Sequence, residues 1–207
     1  MTMISTTTAT TAAARTGGDA DAPASEDPGP SRRSSQTPSS ANANAPAPSC
    51  ALIDATGRLA PATLDWLARH AERAMALLNT TGEIRGRIVL DDAMARAHEQ
   101  HCNAPGTTDV ITFDLRDDAA EHLDTDILLC LDEAQRQAAL RNHAVERELL
   151  LYIIHAVLHC LGHDDHDDES FQLMHAREDE ILAALGVGTT FSVEPTADPG
   201  AGSQSSR

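Results

Sequence analysis

An apolar stretch near the C-terminus carries two histidines, AVERELLLYIIHAVLHCLG at 144–162. The pattern predicts a helix, and Gly162 is a typical residue to end it. His155 and His159 lie four residues apart, so their side chains project from one face of this helix, one turn apart. Two imidazoles in this arrangement can bind one metal ion, and a left-handed turn at Gly162 can send the chain back to the same face.

A third ligand for this site is expected in the acidic segment that follows the helix. Asp165 offers a carboxylate and His166 an imidazole, and zinc binds both groups. Three protein ligands with an open fourth position are the catalytic arrangement of zinc, although nickel, manganese and iron also suit these donors. The rest of the acidic run can orient a ligating imidazole, but we expect Asp167, Asp168 and Glu169 to act as a solvated helix cap.

The chain divides into one folded domain and two polar tails. Residues 1–48 and 189–207 are rich in small and polar residues and are predicted to be disordered, because they have little apolar surface to bury. Strands are predicted at 50–54, 82–90, 109–115 and 126–131, and helices at 61–78, 91–102, 132–140, 144–162 and 168–186. Residues 50–188 therefore form an α+β domain, a small mixed β-sheet with helices packed on one face.

Charge and composition limit the classes of partner. Of the formal net charge of −17, each tail carries −1, so residues 50–188 hold −15. This charge repels polyphosphate, so an RNA substrate would need local arginines, a metal or a carrier partner. The start of the chain has no continuous apolar run, and no apolar stretch is long enough to span a bilayer. We expect a cytoplasmic protein that has neither a membrane nor DNA as partner.

Three blocks of the sequence occur in the order and spacing of a known family. They are GTTDVITFDL at 106–115, DTDILLCLDEAQRQA at 124–138 and ERELLLYIIHAVLHCLGHDDHDDE at 146–169. Over residues 85–185 the chain resembles the YbeY-type endoribonucleases, the bacterial rRNA maturation factors. The resemblance implies an α+β fold with a zinc ion held by the histidine-rich helix and its turn. It also implies single-strand-specific cleavage in maturation of the 3′ end of small-subunit rRNA, and a role in ribosome quality control.

The resemblance also assigns the metal ligands. His155 and His159 match the first two ligands of the family, and the third ligand falls six residues after the second, at Asp165. His166 lies one place later, as if one aspartate had been inserted. The preference of zinc for imidazole makes His166 our first choice, with Asp165 as the alternative.

One departure from the family pattern concerns phosphate binding. The family often carries an arginine shortly before the Thr-Asp-Val strand, where it is thought to contact phosphate, and Cys102 occupies that position here. Arg96, one or two helical turns earlier, substitutes only if it faces the cleft. We therefore expect the substrate, small-subunit rRNA, to be delivered by the ribosome, with ribosomal proteins or assembly GTPases as further partners.

Two other functions compete with the nuclease. A non-catalytic, zinc-containing ribosome assembly factor is favoured by the missing arginine and the acidic charge. A zinc metallopeptidase would need the glutamate of the H-E-x-x-H motif as general base. Ala156 stands at that position, which makes the metallopeptidase the least favoured of the three functions; metal-dependent proteolysis would revive it.

Overall fold

The structure is a computed structural model that describes residues 2–6, 47–117 and 122–191. The strands are β1 (Thr2–Thr6), β2 (Ser49–Asp54), β3 (Gly82–Val89), β4 (Val110–Asp114) and β5 (Leu123–Cys130). The helices are α1 (Pro61–Leu77), α2 (Asp91–Cys102), α3 (Leu131–Arg141), α4 (Val145–Cys160) and α5 (Asp168–Ala184). All the predicted strands and helices are present, and their bounds agree with the prediction to within a few residues.

The strands form one mixed sheet in the order β1-β4-β5-β3-β2. Strands β2, β3 and β5 are parallel to one another, whereas β4 runs antiparallel to both β5 and β1. The α+β class and the small mixed sheet are therefore confirmed. Strand β1 was not predicted: it pairs with β4 from Thr2 opposite Asp114 to Thr6 opposite Val110, inside the segment expected to be disordered. The backbone groups at the edge of β4 form hydrogen bonds with β1. The composition of residues 1–48 does not indicate this pairing.

The inner face of the sheet carries the main hydrophobic core. Side chains alternate along β3, so that Ile84 and Ile88 point into the core while Glu83 and Arg87 face outward. Helices α1 and α4 pack against this inner face, and α3 and α5 flank α4. This core combines aliphatic side chains from the sheet with those of the two packed helices.

Helix α2 packs on the opposite face of the sheet, which differs from the predicted arrangement with helices on one face. Its Met94 is fully buried against outward-facing residues of the sheet, Val89, Ile111 and Cys130. The start of β4 is apolar on both faces of the sheet. Val110 packs in the main core, and Ile111 lies on the opposite face, where it must also be buried. A second, smaller core under α2 covers it.

Helix α4 is the central element of the domain. Every residue from Glu148 to Cys160 is buried, as expected for a helix that is apolar on nearly all sides. It ends at Cys160 with Leu161 as its C-cap, and Gly162 follows with a φ of 90°, a left-handed conformation that glycine adopts without steric penalty. The histidines at the end of α4 are therefore held in a packed interior rather than on the surface.

The chain that follows α5 folds back onto α5. The backbone N–H groups of Thr190 and Phe191 donate hydrogen bonds to the carboxylate of Asp179, at 2.6 Å and 3.1 Å. These residues belong to the tail predicted to be disordered, and the part of that tail beyond Phe191 lies outside the described residues. Among the described helices, none is long and apolar enough to cross a membrane.

Candidate metal centre

The two histidines predicted as metal ligands meet at the C-terminal end of α4. The Nε2 atoms of His155 and His159 lie 3.0 Å apart, and both residues are more than 90% buried. Their rings are nearly perpendicular, with 4.4 Å between the ring centroids. The spacing of one helical turn therefore brings the two imidazoles together, as the sequence pattern predicted.

The turn after α4 brings a carboxylate to the same point. Beyond Gly162 the chain folds back, and Asp165 places its two carboxylate oxygens 3.7 Å from the Nε2 atoms of His155 and His159. The Asp165 side chain is only 15% exposed. Two imidazole nitrogens and one carboxylate oxygen thus converge within reach of a single ion.

The hydrogen bonds around this cluster set the protonation of both rings. His155 Nδ1 lies 2.6 Å from a carboxylate oxygen of Glu178, and His159 Nδ1 lies 3.0 Å from the backbone carbonyl of His163. Both partners are acceptors, so each Nδ1 carries the proton and donates it. In the neutral rings, both Nε2 atoms then present lone pairs to each other at 3.0 Å. Such a contact is repulsive unless a proton or a metal cation lies between them.

These residues fit a divalent metal ion. Donors that share a zinc ion at about 2.1 Å each lie roughly 3.4 Å apart in a tetrahedral arrangement, close to the separations seen here. Glu178 and the carbonyl of His163 supply the outer hydrogen bonds that usually orient metal-ligating histidines. The donor set of two imidazoles and one carboxylate suits zinc, and also nickel, manganese and iron.

Glu178 is a site residue that sequence reasoning missed. It lies on α5, is 1% exposed, and uses its second carboxylate oxygen to accept a hydrogen bond from His175 Nδ1 at 2.7 Å. The signal for it was present, because Met174, Glu178 and Ile181 follow the spacing of a buried helical stripe. A carboxylate in the middle of such a stripe indicates a buried partner.

The surroundings of His155 and His159 shift the pKa values of the two residues in opposite directions. Burial acts to lower the pKa of His155, but the hydrogen bond and negative charge of Glu178 outweigh it, so the pKa is raised. For His159, burial and then the positive charge on a protonated His155 lower the pKa. Burial acts to raise the pKa of Glu178, but its hydrogen bonds from the two histidines outweigh it and lower the pKa. Glu178 is therefore an ionised acceptor.

His166, our first choice for the third ligand, is not brought to the two buried histidines. Its side chain is 78% exposed and hydrogen-bonds the carboxylate of Asp164 at the surface. Its Nδ1 lies 3.8 Å from an oxygen of Asp165, so it neighbours the cluster from outside. The tight turn after Gly162 directs the residue six positions after His159, not seven, toward the imidazoles.

The acidic residues after the turn act as a helix cap, as expected. Asp167 is the N-cap of α5, and its side chain accepts hydrogen bonds from the backbone N–H groups of Glu169 and Ser170, at 3.0 Å and 2.8 Å. Ser170 completes a capping box by accepting from the N–H of Asp167. The orienting carboxylate comes from Glu178 instead.

The two positions considered for phosphate binding both lie on α2. Cys102 packs in the smaller core under α2, and Arg96 is exposed on that helix. A different arginine contacts the end of α4: Arg116 donates to the backbone carbonyl of Cys160 and pairs with Asp114 at 2.6 Å. Because Asp114 neutralises its charge, we assign Arg116 a structural role in holding the segment after β4 to α4.

The comparisons with known proteins identify the family of this chain. A sequence model of the family described as Endoribonuclease YbeY matches residues 55–186. The Endoribonuclease YbeY of Carboxydothermus hydrogenoformans is 39% identical over 80 residues, which are 39% of this chain and 56% of that protein. The Endoribonuclease YbeY of Frankia alni is 35% identical over 130 residues, which are 57% of this chain and 71% of that protein.

Among solved structures, the solution structure of TM1509 from Thermotoga maritima has a TM-score of 0.47 and 21% identity, covering 71% of this chain and 98% of that one. The family match spans more than half of this chain, from the residue after β2 to just past the end of α5, and includes every residue of the candidate metal centre. The chain therefore belongs to the Endoribonuclease YbeY family.

Proposed function

We propose that this protein is a metal-dependent, single-strand-specific endoribonuclease that acts in maturation of the 3′ end of small-subunit rRNA and in ribosome quality control. The observation that carries the proposal is the convergence of His155, His159 and Asp165 inside the matched region. Two imidazole Nε2 atoms 3.0 Å apart beside a carboxylate support a cation site, and the relatives matched over this region are named endoribonucleases.

We propose zinc as the ion, held by His155, His159 and Asp165. When bound, such an ion polarises a phosphoryl oxygen or lowers the pKa of a coordinated water. Glu178 keeps the proton on Nδ1 of His155, and the carbonyl of His163 does the same for His159, so both Nε2 atoms stay available as ligands. Both histidines are more than 90% buried, which limits the access of water to their rings.

The acidic charge of the domain bears on how the RNA arrives. A charge of −15 over residues 50–188 repels a free polyanion, and six of the eleven described arginines are paired with carboxylates. We propose that the ribosomal small subunit presents the RNA, with ribosomal proteins or assembly GTPases as docking partners. Cleavage of small-subunit precursor particles should then exceed cleavage of the same RNA free in solution.

Replacement of a metal ligand tests the proposal. The His155→Ala variant should retain no bound metal by elemental analysis and should lose cleavage of single-stranded RNA, because one of three ligands is gone. The matched control is His70→Ala, which removes a half-buried histidine of α1 that bonds the carbonyl of Trp66 outside the cluster. That control should keep both metal and cleavage.

Treatment of the unaltered protein with a chelator separates the nuclease from the assembly factor. Loss of cleavage on chelation and its return with added zinc would support the nuclease. Binding to the small subunit that survives chelation, with no cleavage of single-stranded RNA under any metal condition, would overturn the nuclease in favour of the non-catalytic role.

A further inference from the structure

The carboxylate of Glu178 joins the candidate metal centre to a second histidine. One oxygen accepts from His155 at 2.6 Å, and the other accepts from His175 Nδ1 at 2.7 Å. His175 lies three residues before Glu178 on α5 and is 9% exposed. It is not one of the three converging donors, so its place in the site needs a separate explanation.

Aromatic rings hold His175 from two sides. Phe191 stacks on its ring with 3.7 Å between the centroids and 22° between the planes, and Phe171 meets it edge-on at 4.1 Å. The Nε2 atom of His175 is buried and has no hydrogen-bond partner among the described residues. Among the described residues, the ring of His175 therefore makes one hydrogen bond, which its Nδ1 donates to Glu178.

Phe191 is itself fixed in place. Its backbone N–H donates to Asp179 on α5, as does that of Thr190, so the segment after α5 is tied to the helix that carries His175. The guanidinium of Arg141 lies over the Phe191 ring, 5.1 Å from its centre. A continuous series of contacts thus runs from Phe191 through His175 and Glu178 to His155.

We propose that His175 is a positioning residue for His155, that it acts through the carboxylate of Glu178, and that Phe191 keeps its ring in place. The inference rests on the proposed metal site. Two donors fix both oxygens of the Glu178 carboxylate, and this fixes the ring of His155 through its Nδ1. Without His175, one oxygen is left buried and unpaired, so the carboxylate turns toward another partner and the His155 ring loses its orientation.

Two substitutions at one position test the hydrogen bond separately from packing. The His175→Leu variant fills a similar volume but cannot donate, whereas His175→Asn places its amide nitrogen near the position of Nδ1. Loss of an outer hydrogen-bond partner lowers metal affinity by about tenfold or more. We expect His175→Leu to bind zinc about tenfold more weakly in a chelator competition assay, and His175→Asn to recover most of the affinity.

A matched pair of substitutions tests the role of Phe191. The Phe191→Ala variant should weaken zinc binding by about threefold, because the ring of His175 is less confined. Val187→Ala removes another partly buried apolar side chain from the same segment after α5, and it should leave zinc affinity unchanged. Cobalt substituted for zinc gives a second readout, since its visible absorption spectrum should change in His175→Leu and not in Val187→Ala.

The outcomes separate this inference from the proposed function. If the unaltered full-length protein binds zinc and His175→Leu binds it equally well with the same cobalt spectrum, the positioning role is wrong and the metal site stands. If His175→Asn is as weak as His175→Leu, the effect is one of packing and the positioning role is also wrong. If the unaltered protein takes up no divalent ion, the metal site itself is wrong, and the positioning role with it.

Discussion

The two halves of α4 each carry a buried polar cluster, and the clusters differ in how their charge is balanced. Glu148, Tyr152, His155 and His159 are spaced along one side of the helix. In the N-terminal half, the carboxylate of Glu148 is fully buried and forms an ion pair with Arg141. Burial acts to raise the pKa of Glu148 and outweighs this pairing, so the pair stabilises the fold only modestly.

In the C-terminal half, no arginine among the described residues forms an ion pair with Asp165 or Glu178. Two carboxylates, Asp165 and Glu178, face two imidazoles whose Nδ1 protons are already donated to acceptors. The charge of Glu148 is thus balanced by a cation of the protein itself, whereas we propose that the carboxylates of the second cluster are balanced by a bound metal ion. The comparison of the two halves of α4 indicates that buried polar groups mark a candidate ligand site only where the protein itself does not balance their charge.

The largest expected effect concerns the third ligand of the C-terminal cluster. The Asp165→Ala variant should lose zinc affinity by at least about 100-fold, because one of three converging donors is removed. The His166→Ala variant changes the neighbouring residue, which is exposed, and should keep the affinity. Elemental analysis and chelator competition measure both. Loss of metal in His166→Ala alone would reverse the assignment.

A matched pair of glutamate substitutions tests the contrast directly. The Glu178→Gln variant should weaken zinc binding by about 10- to 100-fold, because the amide group cannot accept from both histidines. The Glu148→Gln variant should leave zinc affinity unchanged but lower the free energy of unfolding by about 3 kcal/mol, since Arg141 loses its buried partner. Denaturant titration and metal competition measure the two effects. A common response in both variants would remove the distinction between the clusters.

The pH dependence of metal binding follows from the same imbalance. A metal ion needs the neutral imidazole, so protons and metal compete for Nε2. Because the pKa of His155 is raised above its ordinary 6.5, this imidazole takes up a proton before the pH has decreased to 6.5. As the pH is lowered, zinc affinity should therefore start to decrease while the pH is still above 6.5, by about tenfold for each further unit. The pKa of His159 is lowered, so its protonation should steepen the fall only at lower pH. An affinity that is constant down to pH 6 would contradict the geometry around Glu178.

The smallest expected effect is outside both clusters. The Asp167→Ala variant removes the N-cap of α5 and should lower the melting temperature by about 3 °C without changing the zinc content. Asp167 lies two residues from Asp165, so an unchanged metal content would show that proximity in the chain does not make a ligand. Loss of metal here would indicate that the turn and the cap act as one unit.

The sequence predicted what local patterns determine. The spacing of His155 and His159, the break at Gly162 and the alternation along the strands are all encoded within a few residues. What it did not predict depends on distant parts of the chain: β1 pairs with β4 across more than 100 residues, and Glu178 reaches His155 from another helix. The choice of Asp165 over His166 depends on the path of a tight turn, which residue preferences do not report.

The three converging donors come from one short stretch, residues 155 to 165. Bringing them together closes only a small loop, so little chain entropy is lost in assembling them once the end of α4 has formed. A partly unfolded chain that keeps the end of α4 and the turn after it would retain all three proposed ligands. Since a ligand stabilises the native state only to the extent that other states bind it less, the ion should protect the whole domain against heat by less than its affinity suggests.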